Sequence, residues 1–206
     1  MLHPDTELRF IDSKIGFGVF ATRPIPRGSI TWVQDELDRV LTAEKLQQLG
    51  PSYAAILAKY SYLNGRGEYI LCWDLARYIN HSCSPSCLSG GYNFELAVRD
   101  IGVGEELTDD YATLNLSESF QCLCGALGCR GTVSQDDVYA LAGQWDDAVR
   151  EAFPLIAKAP QPLWELVEEK WEVEAALAGG EIASCRVNLR GFTQPDSLRK
   201  CATRGG

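Results

Sequence analysis

The chain has 206 residues, a formal net charge of −9, 46% hydrophobic residues and 23% charged residues. This composition is typical of a soluble globular protein with one core, or with a core and a small appendage. The negative charge argues against direct nucleic-acid binding, which needs a basic surface, and permits a basic partner such as a lysine-rich tail. No apolar run approaches the roughly 20 residues that span a bilayer, and residues 1–10 lack a signal-peptide core. We therefore expect no membrane contact and an intracellular protein, cytoplasmic or, in a eukaryote, nuclear.

Short strands separated by turn residues are predicted in the first half of the chain. Segments rich in β-prone residues lie at Leu8–Ile11, Val19–Thr22, Ile30–Val33, Tyr69–Cys72 and Phe94–Val98. Between them, residues 42–63 favour helix, broken near Gly50 and Pro51, with Thr42 as the N-cap. The stretch His81–Gly91 is rich in Ser, Cys, Pro and Gly and is predicted to be loop.

Two helices are predicted after Gly131, at Asp136–Phe153 and Leu163–Leu177. Large apolar residues recur there every three or four positions, which predicts that they pack the helices together or onto the strands. These residues are Trp145, Val149, Trp164, Val167 and Trp171. The polar tail from Gly191 is expected to fray.

A cysteine cluster at Cys122–Cys129 is the strongest local signal for a bound metal. Cys-x-Cys-x4-Cys brings three thiols within eight positions, and Gly125 and Gly128 allow sharp turns. A tetrahedral zinc site needs a fourth ligand, for which Cys83 and Cys87 are the candidates. Free buried thiols and disulfides are the alternatives, and Cys72 in an apolar strand is expected to be a core thiol.

Three further motifs have the residue types of a ligand site. Gly16-Phe-Gly18 lets a backbone approach a ligand closely, although it lacks the third glycine of a dinucleotide fingerprint. Arg77–Pro85, with sequence RYINHSCSP, puts an amide, an imidazole and a thiol close together, and a satisfied turn is the alternative interpretation. Gly104–Tyr111 predicts a turn and a short strand that ends on a tyrosine, which alone would pass as a surface strand with a core tyrosine.

Taken in this order, the four motifs resemble a SET-domain protein lysine methyltransferase followed by a post-SET segment. The glycine pair is similar to the first cofactor motif of that family, and Arg77–Pro85 to its Asn-His-Ser-Cys signature. Glu106–Tyr111 resembles the catalytic strand, and Cys122–Cys129 the post-SET cysteines. The resemblance extends over roughly residues 7–131, and the C-terminal helices lie outside it.

The resemblance implies an α+β fold, mainly β, of small curved sheets with C-terminal helices. In that fold the segment ending near Tyr111 passes under a loop and forms a pseudoknot, a rare exception to unthreaded connections. The expected SET domain is residues 7–114, with a helical insert near 42–63 that contacts the peptide substrate. A post-SET zinc-binding segment at 115–131 and a C-terminal helical extension at 132–206 are expected to follow.

The resemblance also implies a site, carried over residue by residue. S-adenosylmethionine is the expected methyl donor and a lysine of a protein substrate the expected acceptor. The expected donor-binding residues are Gly16, Phe17, Gly18, Tyr62, Asn80, His81 and Leu123. The expected ligands of a structural Zn²⁺ are Cys83, Cys122, Cys124 and Cys129, which leaves out Cys87. Tyr111 is the expected catalytic residue.

The implied reaction is an in-line displacement at a sulfonium methyl group by a neutral lysine amine. A free lysine has a pKa of about 10.4, which a dry channel and the nearby sulfonium would lower. The hydroxyl of Tyr111 would orient amine and methyl, and alignment would supply most of the acceleration.

Asp109 is the clear departure from the family pattern, which usually has an aromatic residue two positions before the catalytic tyrosine. A carboxylate in the lysine channel would favour the charged, unreactive ammonium form. Strand alternation also permits Asp109 to point outward. The alternative function is therefore a SET-like, zinc-containing protein-binding module with weak or no catalysis.

Overall fold

In a computed structural model that describes residues 1–189, most of the regular structure up to residue 133 consists of short strands. They are β1 Thr6–Asp12, β2 Gly16–Ala21, β3 Ile30–Val33, β4 Arg39–Leu41, β5 Ser61–Leu63, β6 Tyr69–Leu71, β7 Asn80–His81, β8 Cys87–Leu88, β9 Phe94–Ala97, β10 Glu106–Asp109, β11 Phe120–Gln121 and β12 Thr132–Val133. The α-helices are α1 Ala43–Gln48, α2 Ala54–Tyr60, α3 Asp137–Ala152 and α4 Lys170–Leu177. Short 3-10 helices lie at Pro51–Tyr53, Leu75–Tyr78, Tyr111–Thr113, Phe153–Ala157, Trp164–Leu166 and Cys185–Asn188. The predicted α+β class, mainly β, is confirmed.

Strand β10 joins distant parts of the chain in one four-stranded sheet of order β1-β2-β10-β7. It pairs antiparallel with β2 and parallel with β7, with Thr108 opposite Asn80 and Asp109 opposite His81. A segment more than 25 residues further along the chain thus lies directly beside Asn80 and His81. This insertion between β2 and β7 is what the predicted pseudoknot requires.

Two smaller three-stranded sheets, β3-β9-β8 and β4-β6-β5, complete the framework around the candidate site. The face of β9 that carries Phe94 and Leu96 packs into the larger apolar core. The opposite face, with Glu95 and Ala97, is directed toward a second cluster that contains Trp32, as expected from strand alternation.

The C-terminal helices share the larger core with the strands. Trp145 and Val149 of α3 are buried against the β9 side, and Phe153 stacks on Tyr92 with ring centroids 5.5 Å apart. The packing prediction is therefore confirmed for α3, whereas Trp171 is 71% exposed and does not pack as predicted. The domain boundaries at residues 114 and 131 remain a prediction.

Three local predictions were wrong. Residues 61–63, expected in a helix, form β5, because Tyr62 and Leu63 pair with β6 across a short turn. The expected loop at His81–Gly91 contains β8, which pairs with β9. The expected helix Leu163–Leu177 is a 3-10 turn followed by the shorter α4. For the two strands, pairing with the next strand along the chain overrides local propensity.

The described helices are all too short or too polar to cross a membrane. The predicted fraying of the tail from Gly191 lies outside the described residues.

A glycine substitution tests how the loop before β3 packs against the C-terminal part. Gly28 has a φ of +87°, and a Cβ there would lie 2.5 Å from Leu155 Cβ and 2.8 Å from its carbonyl carbon. We expect Gly28→Ala to lower the free energy of unfolding by about 2–5 kcal/mol, from left-handed strain plus overpacking. Urea unfolding measures this loss.

Gly143→Ala is the matched control. Gly143 lies within α3 and a Cβ there meets no atom within 4 Å. The same substitution should raise stability by about 0.5–1 kcal/mol, because alanine favours helix. Equal effects of the two substitutions would contradict the packing of Leu155 against Gly28.

Candidate active site

Tyr111 is held at the end of the β10–β7 junction by two hydrogen bonds. Its backbone N–H donates to His81 Nδ1 at 3.2 Å, and its hydroxyl donates to the carbonyl oxygen of Ile79 at 2.6 Å. Burial lowers the pKa of His81, which favours a neutral ring that can accept the bond at Nδ1. Burial and then the Asp109 carboxylate raise the pKa of Tyr111, so its hydroxyl remains a donor at neutral pH.

The glycine motif and the Asn-His-Ser-Cys motif meet through Asn80. Asn80 Nδ2 donates to the carbonyl oxygen of Phe17 at 2.9 Å and to Glu106 Oε1 at 2.7 Å. A Cβ on Gly18 would lie 2.3 Å from that Glu106 oxygen and 3.0 Å from Asn80 Nδ2. Only glycine fits here without displacing the two side chains. The structure thus brings together three of the four motifs, at Gly16–Gly18, Asn80–His81 and Tyr111.

Two expected donor-binding residues, Tyr62 and Leu123, are not among the residues that these hydrogen bonds join. Tyr62 of β5 places its ring edge-on to Trp32, with centroids 6.1 Å apart, in the wall of a cavity. Within residues 1–189 no hydrogen bond joins Tyr62 to Asn80 or His81. Leu123 is 59% exposed between Cys122 and Cys124, so an apolar side chain is available there for contact with a ligand.

A cavity of about 560 Å³ opens on the side of Tyr111 where the insert lies. Helices α1 and α2 supply an apolar wall that includes Leu46 and Leu57, and Tyr111 lines the cavity as well. The volume falls within the range of roughly 300–1,000 Å³ that is usual for ligand sites. The predicted helical insert therefore borders this cavity.

Two buried carboxylates line the same cavity. Asp109 is 5% exposed and Glu95 is 7% exposed, so Asp109 does not point outward. Burial and then the Asp110 charge raise the pKa of Asp109 to about 7. Burial and then the Asp109 charge raise the pKa of Glu95 well above its ordinary range. Sequence reasoning missed Glu95, because a single glutamate in a predicted strand carries no signal of its own.

The cysteine cluster converges on one point beside His81. Cys83 Sγ lies 3.7 Å from Cys122 Sγ and 3.4 Å from His81 Nε2, and backbone N–H groups donate to the sulfurs of Cys83, Cys122, Cys124 and Cys129. Possible ligand atoms of His81, Cys83, Cys122 and Cys124 all lie within 4.8 Å of one another. The described cysteines are free thiols, and the 3.7 Å separation exceeds the roughly 2.05 Å of a disulfide bond.

The thiols have the chemistry of a metal site. Although burial opposes it, N–H donors of Cys83 and Ala126 lower the pKa of Cys124 to about 6, which favours the thiolate that binds metals. Positive φ angles at Gly125 and Gly128 form the turns that fold the segment back. Cys87 lies instead in β8, fully buried in the core, where burial raises its pKa to about 12. Cys72 is likewise buried in the core, as predicted.

An ion pair that sequence reasoning missed ties the cysteine segment to the tyrosine. Arg130 donates to both carboxylate oxygens of Asp110 at 2.9 Å and 2.7 Å, and Asp110 is buried. Asp110 also caps the 3-10 turn of Tyr111 by accepting from the backbone N–H of Ala112. The position of Tyr111 is thereby coupled to the segment that carries the cysteines. Glu106, the partner of Asn80, was missed as well, since both pairs arise only from tertiary contacts.

Comparison with known families identifies residues 16–112 as a match to the SET domain. The match begins at the glycine motif and ends one residue after Tyr111. It therefore includes the junction of β2, β7 and β10 but not the cysteine segment at 122–129.

The curated relatives are much longer proteins. A histone-lysine N-methyltransferase of Drosophila melanogaster is 34% identical over 62% of this chain, and the match spans 8% of the relative. An H3 lysine-36 specific histone-lysine N-methyltransferase of Schizosaccharomyces pombe is 30% identical over 79% of this chain and 21% of the relative. An H3 lysine-4 specific enzyme of the same yeast is 45% identical over 28% of this chain and 7% of the relative.

The buried position of Asp109 predicts a pH-dependent stability difference for Asp109→Asn. The carboxyl has a pKa of about 7 in the folded chain against 3.8 ordinarily. In the unfolded chain this carboxyl loses its proton near pH 4, whereas in the folded chain it keeps the proton up to about pH 7. Its contribution to the free energy of unfolding therefore falls as the pH rises from about 4 to about 7. We expect the Asp109→Asn variant to gain stability relative to wild type across that window, and the difference between the two proteins to stay constant at higher pH.

Asp12→Asn is the control, measured by denaturant unfolding over the same pH series. Asp12 is exposed, and backbone N–H groups of Ile15 and Lys14 lower the pKa of its carboxyl. The stability that this carboxylate contributes is fully present above its ordinary pKa of 3.8, so Asp12→Asn should cost stability by a constant amount from about pH 4 to about pH 7. Parallel pH curves for Asp109→Asn and wild type would contradict a buried Asp109 carboxyl.

Proposed function

We propose that this chain, which contains a SET domain over residues 16–112, is a protein lysine N-methyltransferase that uses S-adenosylmethionine. The observation that carries the proposal is the position of Tyr111. Its hydroxyl is bonded to the carbonyl of Ile79, next to Asn80 and His81, while its side chain lines the cavity. A donor on one side and a lysine on the other would meet at this residue.

The donor would lie against the backbone of Gly16, Phe17 and Gly18. Asn80 is fixed there by Phe17 and Glu106, so its amide is pre-oriented. His81 would lie beside the ligand, with its Nδ1 occupied by the N–H of Tyr111 and its Nε2 3.4 Å from Cys83 Sγ. When bound, the donor supplies a methyl group on a sulfonium.

The lysine would enter through the cavity and reach the Tyr111 hydroxyl. That hydroxyl, held as a neutral donor by burial, would position the amine without exchanging a proton. The surrounding apolar wall from the insert would exclude water and lower the pKa of the lysine. Alignment and desolvation are then the two contributions of the chain to the reaction.

The proposed ligands of a structural Zn²⁺ are the thiols of Cys83, Cys122, Cys124 and Cys129. Three of these belong to the group of ligand atoms within 4.8 Å of one another, in which the fourth member is His81 and not Cys129. Four thiolates provide the tetrahedral donor set of a closed site, and the backbone N–H groups that donate to the sulfurs would stabilise their charge. An ordered zinc-binding segment would also help to hold Tyr111 in place, because Arg130 pairs with Asp110, which caps the 3-10 turn of Tyr111.

The proposed substrate is a lysine in a basic protein segment. The relatives are named as histone-lysine methyltransferases, two of them specific for lysine-4 or lysine-36 of H3. A net charge of −9 is compatible with a lysine-rich tail of this kind. A location inside the cell remains the prediction made from the sequence.

A binding module without efficient catalysis is the second candidate. The observation that favours it is the buried carboxylate of Asp109 in the cavity, which would stabilise a lysine in its unreactive ammonium form. Methyl transfer and peptide binding measured on the same preparation separate the two.

Tyr111→Phe tests the proposed catalysis. The protein is incubated with isotope-labelled S-adenosylmethionine and recombinant core histones or a lysine peptide array, and methylated lysines are identified by mass spectrometry. Loss of the hydroxyl should lower turnover by about tenfold or more, with donor affinity nearly unchanged, because a positioning group for the reacting amine is removed. Wild-type turnover in the variant would make the assignment of Tyr111 wrong.

Metal analysis under reducing conditions tests the zinc proposal. We expect about one Zn²⁺ per chain, bound by four thiolates. Cys83→Ser should lose the metal and lower the melting temperature, whereas Cys87→Ser, in the core, should retain it. The reverse pattern would mean that the loop ligand is Cys87, and metal-free wild-type protein would exclude the site.

A further inference from the structure

Glu95 is a buried carboxylate placed on an otherwise apolar face. On β9 it lies opposite Trp32 of β3, and the cluster on that face contains Cys87, Ala97 and Leu107. Among the described residues, Glu95 Oε2 and Trp32 Nε1 are buried side-chain atoms without a hydrogen-bond partner. A native protein rarely leaves a buried acceptor or donor unsatisfied, because each costs free energy when it is dry.

The unsatisfied atoms belong to residues that line the cavity. Glu95 and Trp32 both border it, together with Tyr62, Asp109 and Tyr111. The charge of Asp109 raises the pKa of Glu95 further than burial alone does. Burial raises the pKa of the neighbouring Tyr62, and both carboxylates add to that rise. No cationic side chain is paired with Glu95 or Asp109 within residues 1–189.

We propose that Glu95 and Asp109 form an acidic floor in this cavity that recognises one cationic side chain of the substrate. Asp109 Oδ1 already accepts the backbone N–H of Asp110 at 2.6 Å, whereas Glu95 Oε2 is unpartnered. Glu95 is therefore the stronger candidate for direct contact with the cation, and Asp109 adds negative charge beside it. The aromatic rings of Trp32 and Tyr62 would surround the alkyl stem.

The proposal deepens the proposed function and rests on it in one respect, that the occupant is a lysine. Burial raises the pKa of both carboxyl groups and so favours their protonated form in the empty cavity. An entering ammonium group would favour the ionised form, whose protons pass to solvent, and would pair with it, whereas a neutral side chain could offer at most a hydrogen bond. Glu95 and Asp109 would thus be specificity-determining residues that bind the charged lysine at entry, before its proton passes to solvent and the neutral amine reacts.

Binding of small model cations tests the acidic floor without any need for catalysis. The full chain is titrated with n-butylammonium chloride and, separately, with n-butanol, and binding is followed by NMR shifts of residues that line the cavity. The wild type should bind the ammonium ion at least tenfold more tightly than the alcohol. Equal binding of the two probes, or binding of neither, would overturn the proposal.

Three variants and one control test whether the preference for the ammonium ion arises from Glu95 and Asp109. Glu95→Gln and Asp109→Asn are near-isosteric, and each should reduce the ammonium preference, while the double variant should abolish it. Glu174→Gln makes the same change of charge at an exposed position of α4 and should leave the preference intact. A double variant that folds and still prefers the ammonium ion would overturn the proposal. If Glu95→Gln does not fold, Asp109→Asn alone still decides, because an unchanged preference there contradicts the shared floor.

The methyl-transfer assay is independent of this binding test. A wild-type protein that prefers the ammonium ion but transfers no label to any lysine would contradict the proposed function and leave the cation site standing. A protein that methylates lysine but shows no preference for the ammonium ion would contradict the cation site and leave the proposed function standing.

Discussion

The insertion of β10 between β2 and β7 is the constraint on which the rest of the site depends. Its parallel pairing with Asn80 and His81 brings a late segment of the chain beside an earlier loop. Its antiparallel pairing with β2 brings Glu106 close to Gly18, where a side chain larger than hydrogen would clash. Tyr111 lies two residues after the end of β10. The position of this strand therefore determines how far Tyr111 lies from the glycine motif, from His81 and from the cavity.

The site has two sides with different physical character. On one side, backbone and amide groups from Gly16–Gly18 and Asn80 are already hydrogen-bonded and preorganised. On the other, the cavity combines apolar walls with the carboxyl groups of Glu95 and Asp109, and two buried polar atoms without a partner, Glu95 Oε2 and Trp32 Nε1, belong to residues that line it. Such atoms point to an occupant, since folding alone gains nothing from burying them. The cysteine segment supports the junction between the two sides through Arg130 and Asp110.

Sequence reasoning predicted those parts of the site that depend on short-range motifs. Asn80, His81 and the cysteines lie in compact patterns whose residue types limit their chemistry, and the structure brings Cys83 to Cys122 as expected. Glu95 and the pair Arg130–Asp110 could not be predicted, because their partners are distant in sequence. Strand β5 was predicted as helix for a different reason: its partner β6 follows after a short turn, and this pairing outweighs the local helical preference.

The central claim is that the methyl donor and the lysine approach Tyr111 from opposite sides. A crystal structure with S-adenosylhomocysteine, the product of methyl transfer, tests it most directly. We predict that the ligand lies against the backbone of Gly16–Gly18 and beside Asn80 and His81, with its sulfur facing the Tyr111 hydroxyl, and that the cavity remains free. Density for the ligand inside the cavity beside Glu95 would contradict it.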